Sequence, residues 1–191
     1  MLNYPLTMSF KLIAFNPQVK IVDATGQTVL YVKQKALALK EDVKVFADEA
    51  QQQLMYQIRA NKRMDFSARY AITTPEGREV GTVQRQGMKS LWKATYNILD
   101  AQGNEVGLIH EENPMLKVAD ALLSDIPFIG MLINPAYLVD YRGQTVYYFK
   151  KQPSLMERQF QVEKRGEISD EDEELVLSCV IMMMMLERDR G

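Results

Sequence analysis

The chain has a single cysteine and a single histidine in 191 residues. One cysteine, Cys179, excludes an intrachain disulfide, and its place in the most apolar stretch fits a reducing compartment. The same scarcity excludes a histidine cluster or a multi-thiolate metal centre. The sequence holds no phosphate-cradling glycine loop, no G-x-S-x-G elbow and no H-E-x-x-H pair. Positive charge is missing from the start: the first basic residue is Lys11, too late for a secretory signal, and Pro5 interrupts any early apolar run, so no export is expected. No run of Gly, Pro and Ser divides the chain. One domain over residues 1–191 is the expectation, and a cytoplasmic protein.

What remains is ordinary globular material, 47% hydrophobic and 25% charged. The net charge of −2 conceals an asymmetry. Residues 31–93 carry twelve Lys/Arg against seven Asp/Glu, whereas residues 94–191 carry nine against seventeen. Either the middle offers a basic face to phosphates or anionic lipid, or the two blocks are solvated faces of one body. With a slightly negative total and no aromatic-rich basic strand motif, nucleic acid is not an expected partner.

Short alternating runs separated by turn residues dominate, which is the pattern of hairpins in an antiparallel sheet. Lys20–Asp23 with Gln27–Val32, Tyr70–Thr73 with Glu79–Val83, Tyr96–Leu99 with Glu105–Ile109 and Tyr137–Tyr141 with Thr145–Lys150 each flank a glycine-containing turn. Thr7–Ala14, Ala36–Leu39, Val43–Phe46, Leu54–Arg59, Leu91–Ala94 and Arg158–Glu163 bring the expectation to about a dozen strands. Asn113 and Pro114 read as a helix start, and Leu116, Ala119, Leu122 and Leu123 form one apolar stripe, so a short amphipathic crossover helix is expected there. The apolar stretch Ile126–Ile133 follows, broken by Pro127 and Gly130, and is expected to plug the sheet.

The C-terminal segment decides the architecture. Ser169 with Asp172 three residues on, amid acids at 170–174, marks a helix start that favours negative charge. From Leu175 to Leu186 only Ser178 and Cys179 are not plainly apolar, so oily groups point in every direction. Twelve such residues fall short of the roughly 20 that cross a bilayer. The helix, about residues 170–188, must therefore be buried on all sides. A flat sheet covers one side only, whereas a closed barrel covers every side and removes its own edges. Eight strands leave room for side chains alone, so a helix about 10 Å wide calls for a larger barrel. The fold expected is mainly β: a closed antiparallel barrel of about twelve strands around a central hydrophobic C-terminal helix.

The stretches Tyr31–Lys40 (YVKQKALALK), Arg69–Gly81, Asp125–Val139 (DIPFIGMLINPAYLV) and Leu175–Gly191 (LVLSCVIMMMMLERDRG) resemble the bacterial branch of the LURP-one-related family. That family is similar in fold to the tubby C-terminal domain and to phospholipid scramblases, which implies a twelve-stranded barrel around a central helix. The resemblance also implies a link to membrane lipid, since tubby domains bind phosphoinositides. They do so with a Lys and an Arg two apart directly after a glycine. The matching stretch here reads Gly81, Thr82, Val83, Gln84, Arg85, so neither base stands at its matching position. Arg85 falls one place on, where a strand's two-residue period turns it to the opposite face. The cysteine cluster and Asp-rich calcium loop of scramblases are also missing.

No residue set announces catalysis, a cofactor or a metal. His110, beside Glu111 and Glu112, reads as structural or surface, Cys179 as an inert core thiol, and Asp170–Glu174 as helix capping. The candidate anion or lipid-headgroup residues are Arg63 and Arg69 around one strand, with Arg85, Lys89 and Lys93 around the turn that holds Trp92. The leading expectation is a non-enzymatic binding or scaffold protein, peripheral on the inner membrane face through anionic lipid. A protein–protein interaction module is the alternative, and an enzyme with a site at the barrel mouth stands third.

Overall fold

The computed structural model describes residues 2–11, 17–34, 42–60, 68–87, 94–112, 136–152 and 158–187. Twelve strands close into one antiparallel barrel: β1 (Leu6–Phe10), β2 (Gln18–Val22), β3 (Thr28–Gln34), β4 (Asp42–Phe46), β5 (Leu54–Ala60), β6 (Arg69–Thr73), β7 (Glu79–Arg85), β8 (Thr95–Asp100), β9 (Glu105–Glu111), β10 (Ala136–Tyr141), β11 (Gln144–Gln152) and β12 (Arg158–Lys164). Each strand pairs with its neighbours in sequence, and β1 pairs with β12 to complete the ring. Alternation assigns the faces. In β4, Val43 and Val45 are wholly buried while Lys44 is exposed, and β2, β5 and β6 repeat the pattern.

Turn chemistry sets the strand ends. The sequence pattern carries a strand through Asp23, but Asp23 leaves the ladder because its Oδ1 accepts the Thr25 and Gln27 amides at 2.9 and 3.1 Å. Asp100 Oδ1 likewise accepts the Gln102 and Asn104 amides, though Asp100 stays in β8 opposite Gly81. The first strand stops at Phe10, short of Ala14, which lies outside the described residues; so do Ala36–Leu39, Leu91–Lys93, the expected crossover helix and the plug Ile126–Ile133. Ala94 precedes β8 and is not part of a strand.

The helix α1 (Asp170–Glu187) fills the barrel. Every residue from Leu175 to Met185 is buried, and all but Ser178 belong to the same hydrophobic cluster as Val43, Ile58, Ile72, Val83, Ile98, Ile109, Val139 and Phe149 from the inner wall. Contacts reach it from around the ring: Tyr56 on β5, Gly81 on β7, Tyr96 on β8, Tyr141 on β10 and Tyr147 on β11. Gly81 is required by this packing, because a Cβ there would stand 2.4 Å from the Leu99 carbonyl oxygen and 2.7 Å from Leu175 Cδ1. The uniformly apolar segment is thus encircled, as its lack of a polar face demands.

Antiparallel pairing gives the barrel two unlike mouths. The helix enters at one, and the connections there, 23–27, 47–53, 74–78, 101–104, 142–143 and 165–169, are short. Its last turn reaches the far mouth, where the connections leaving β1, β3, β5, β7, β9 and β11 each include residues outside the described set.

Candidate functional site

The entry mouth is closed by pairing. Ser169 caps the helix, its Oγ accepting the Asp172 amide at 3.2 Å and donating to Asp172 Oδ2 at 2.9 Å. The acids of the first turn then diverge to different partners. Glu171 meets Arg78 at 3.9 Å; Asp172 accepts from the Tyr141 hydroxyl at 2.5 Å and from Arg142 at 3.4 Å. Glu173, only 6% exposed, accepts at one oxygen from Tyr4, Tyr147 and Lys164 at 3.0, 2.9 and 3.3 Å. Glu174 faces the Tyr56 hydroxyl. Burial is the main cause that raises the Tyr4, Tyr56, Tyr141 and Tyr147 hydroxyls above the ordinary phenolic range, with their carboxylate partners adding to it. These carboxylates do not converge on a common point, so the acidic run works as cap and staple.

At the far mouth, Glu187 in the last turn of α1 accepts from the buried Tyr96 hydroxyl. Arg85 lies directly across from Tyr96 and shares its inner face, where its charge opposes the burial that raises the tyrosine. Arg85 therefore faces the barrel interior, as the strand period requires. Arg69, at the far-mouth end of β6, lies across from Gln84 and is exposed on the outer face. Hence the two described candidates sit on adjacent strands at the same mouth but on opposite faces of the wall. Arg63, Lys89 and Lys93 lie outside the described residues, in the β5–β6 and β7–β8 connections of that mouth.

The single histidine is held on the outer wall. His110 Nε2 lies 3.0 Å from Asp140 Oδ2 and Nδ1 3.3 Å from the Glu111 carbonyl, while Thr145 donates to the other Asp140 oxygen at 2.6 Å. Both ring nitrogens face oxygens of the wall itself. Cys179 is fully buried, and burial alone pushes its thiol up, away from the reactive thiolate.

A charge pattern emerges that single residues did not reveal. Around the entry mouth, Lys20, Arg78, Arg142, Lys164 and Arg165 are all ion-paired, with Glu49, Glu171, Asp172, Glu173 and Glu163 respectively. Toward the far mouth Arg69, Lys150 and Lys151, and midway along β4 Lys44, have no carboxylate partner among the described residues, and Lys33 reaches only the Gln51 amide oxygen at 3.4 Å. Arg59 lies 3.7 Å from Asp42. The sequence signal was available for Lys44, a lone charge between buried valines, but its neighbours across the sheet depend on a register that no local pattern specifies.

A family model described as LURP-one-related matches residues 28–125, just over half of the chain. No curated protein and no solved structure matches. No described helix is long and apolar enough to cross a membrane.

Proposed function

We propose that this chain, which belongs to the LURP-one-related family, is a non-enzymatic binding protein whose far mouth and adjoining outer wall engage an anionic surface, the inner face of a membrane being one. The observation that carries the reading is the separation of paired from unpaired cations along the barrel axis. Five basic side chains near the entry mouth are neutralised by acids, whereas Lys33, Arg69 and Lys150 near the far mouth, and Lys44 midway along β4, face outward with no described carboxylate against them. Each such cation contributes about 1 kcal/mol at an acidic membrane, so four give roughly 4 kcal/mol before any apolar contact. The filled interior supports binding over catalysis: the core that would otherwise be a pocket is occupied by Leu175–Met185.

Co-sedimentation with neutral vesicles and with vesicles containing acidic lipid, each at low and high salt, tests the reading. Association only with the acidic vesicles, weakened by salt and by the charge reversal Arg69→Glu, is the expected result. Equal association with both compositions, or none with either, overturns it. A single stoichiometric protein recovered in a pull-down would then favour an interaction module.

A further inference from the structure

We infer that Lys33 and Lys44 form a seat for a phosphomonoester dianion on the outer wall of the barrel, which rests on and narrows the anionic-surface reading above. The register places the two lysines directly opposite each other across β3 and β4, with Gln18 beyond Lys33 and Gln57 beyond Lys44 in the same lateral row. Side chains so opposed stand about 5 Å apart at Cβ, and like charges at that spacing destabilise a sheet. Exposed strands do carry lysine to repel edge-to-edge pairing, but a closed barrel has no edge to defend. The repulsion is therefore unexplained by the fold itself.

Among the described residues, no carboxylate neutralises the pair. The nearest carboxylate in register, Asp42, is engaged by Gln57 Nε2 at 2.7 Å and by Arg59 at 3.7 Å. The other nearby acid, Glu49, is bound to Lys20 and drawn further by Lys11. Its connection, 47–53, folds back over the outer wall: Glu49 reaches Lys20 on β2, and Gln51, at a φ of 58°, presents its amide oxygen to Lys33. Beneath it Tyr31 is only 4% exposed, although it points outward between Lys20 and Phe46. The result is two ammonium groups on flexible stems, flanked by amides, on a fixed platform.

A phosphomonoester carries −1.5 to −2 near neutral pH, which matches two ammonium groups better than a phosphodiester or a carboxylate does. Such a group occurs on a lipid headgroup or as free phosphate. Vesicles containing phosphatidic acid, compared with phosphatidylserine vesicles of equal surface charge, present the first; inorganic phosphate, titrated while the Lys33 and Lys44 amide resonances are followed, presents the second.

The native protein should prefer phosphatidic acid, and Lys33→Gln with Lys44→Gln should weaken that binding about thirtyfold, the effect of two lost cations at about 1 kcal/mol each, and abolish the preference. Lys150→Gln with Lys151→Gln removes the same charge elsewhere and should weaken both lipids while keeping the preference. Relief of the like-charge contact should leave the Lys33→Gln, Lys44→Gln protein melting at or above the native temperature, so loss of binding is not loss of fold. Resonance shifts with inorganic phosphate but no vesicle binding would support the seat with a free ligand and overturn the membrane reading. Vesicle binding with no headgroup preference and no shifts would overturn the seat alone. Neither binding nor shifts would overturn both.

Discussion

Raising the pH should unfold this barrel abruptly, because its tyrosines are held neutral. Tyr4, Tyr56, Tyr96, Tyr137, Tyr141 and Tyr147 all have hydroxyls raised by burial first, then by nearby carboxylates or tyrosines; Tyr141, the least shifted, is pushed up to about 12. Five of the six are at most 7% exposed and Tyr4 is half-buried. In the unfolded chain each ionises near 10. A raised folded pKa means that stability is complete below pH 10 and falls above it, since only the unfolded state then releases protons. The slope is about 1.4 kcal/mol per pH unit for each tyrosine, so six give roughly 8 kcal/mol per unit between pH 10 and 12. Against an ordinary stability of about 5–15 kcal/mol, the midpoint should fall between about pH 10.5 and 12. Phenolate absorbance and far-ultraviolet circular dichroism, followed together through an alkaline titration, measure this. The two signals should change in one shared, steep transition. Gradual ionisation centred near pH 10 with the barrel signal intact to pH 12 would refute the reasoning.

Two further perturbations probe the packing of α1. Gly81→Ala sets a methyl group against the Leu99 carbonyl, which is backbone and cannot swing aside, so chemical denaturation should report a loss of about 1–3 kcal/mol or more, and an unchanged midpoint would contradict the close approach of β7 to the helix. Glu173→Ala removes the oxygen that accepts from Tyr4, Tyr147 and Lys164, leaving Lys164 without its carboxylate; a loss of about 3–5 kcal/mol is expected by denaturant melt, and Glu173→Gln should recover part of it by keeping an acceptor for the tyrosines. Equal losses in the two variants would mean that the tyrosine bonds contribute nothing.

The barrel was legible because its constraints are local or uniform. Alternation such as Val43, Lys44, Val45 states which side chains face in, and a helix apolar from Leu175 to Leu186 has only one kind of environment open to it. The same parity argument turned Arg85 away from the face of Thr82 and Gln84, and it lies opposite the buried Tyr96. What local patterns do not carry is register. That Lys33 meets Lys44 depends on where β4 begins after the 35–41 connection, and a slip of one residue would oppose Lys33 to an inward valine. The tyrosine staples were hidden for the same reason: Asp172, Glu173 and Glu174 read as a cap, and their partners Tyr141, Tyr147, Tyr4 and Tyr56 are scattered over the chain from residue 4 to 147. Arg69 and Arg85, both named from sequence as candidate headgroup residues, one around a strand and the other around the turn that holds Trp92, lie on opposite faces of the wall.

The polarity of the molecule follows from the direction in which α1 is threaded. A helix start carries partial positive charge and unsatisfied amides, so it draws acids, here Asp170–Glu174, and wherever that start sits the barrel acquires an acidic mouth. Glu173, the one buried among them, requires a cation nearby, and Arg78, Arg142 and Lys164 lie against Glu171, Asp172 and Glu173. The chain is almost neutral, and among the described residues the bases without a carboxylate partner, Arg69 and Lys150 at the far mouth and Lys44 midway along β4, stand away from that end. A small net charge thus coexists with a large charge separation along the axis. Near an anionic surface such a body experiences a torque as well as an attraction, and both favour the far mouth facing the surface. Threading the helix in the opposite direction would reverse the orientation without changing one residue of the barrel's composition, so orientation in the proposed binding is set by the core. Neutralising Arg78 and Arg142 should therefore sharpen orientation rather than weaken attachment, because it deepens the acidic mouth at the end held away from the surface. Polarised infrared spectroscopy of the oriented protein on a supported acidic bilayer measures the tilt of α1, and a random tilt in the native protein would defeat the argument.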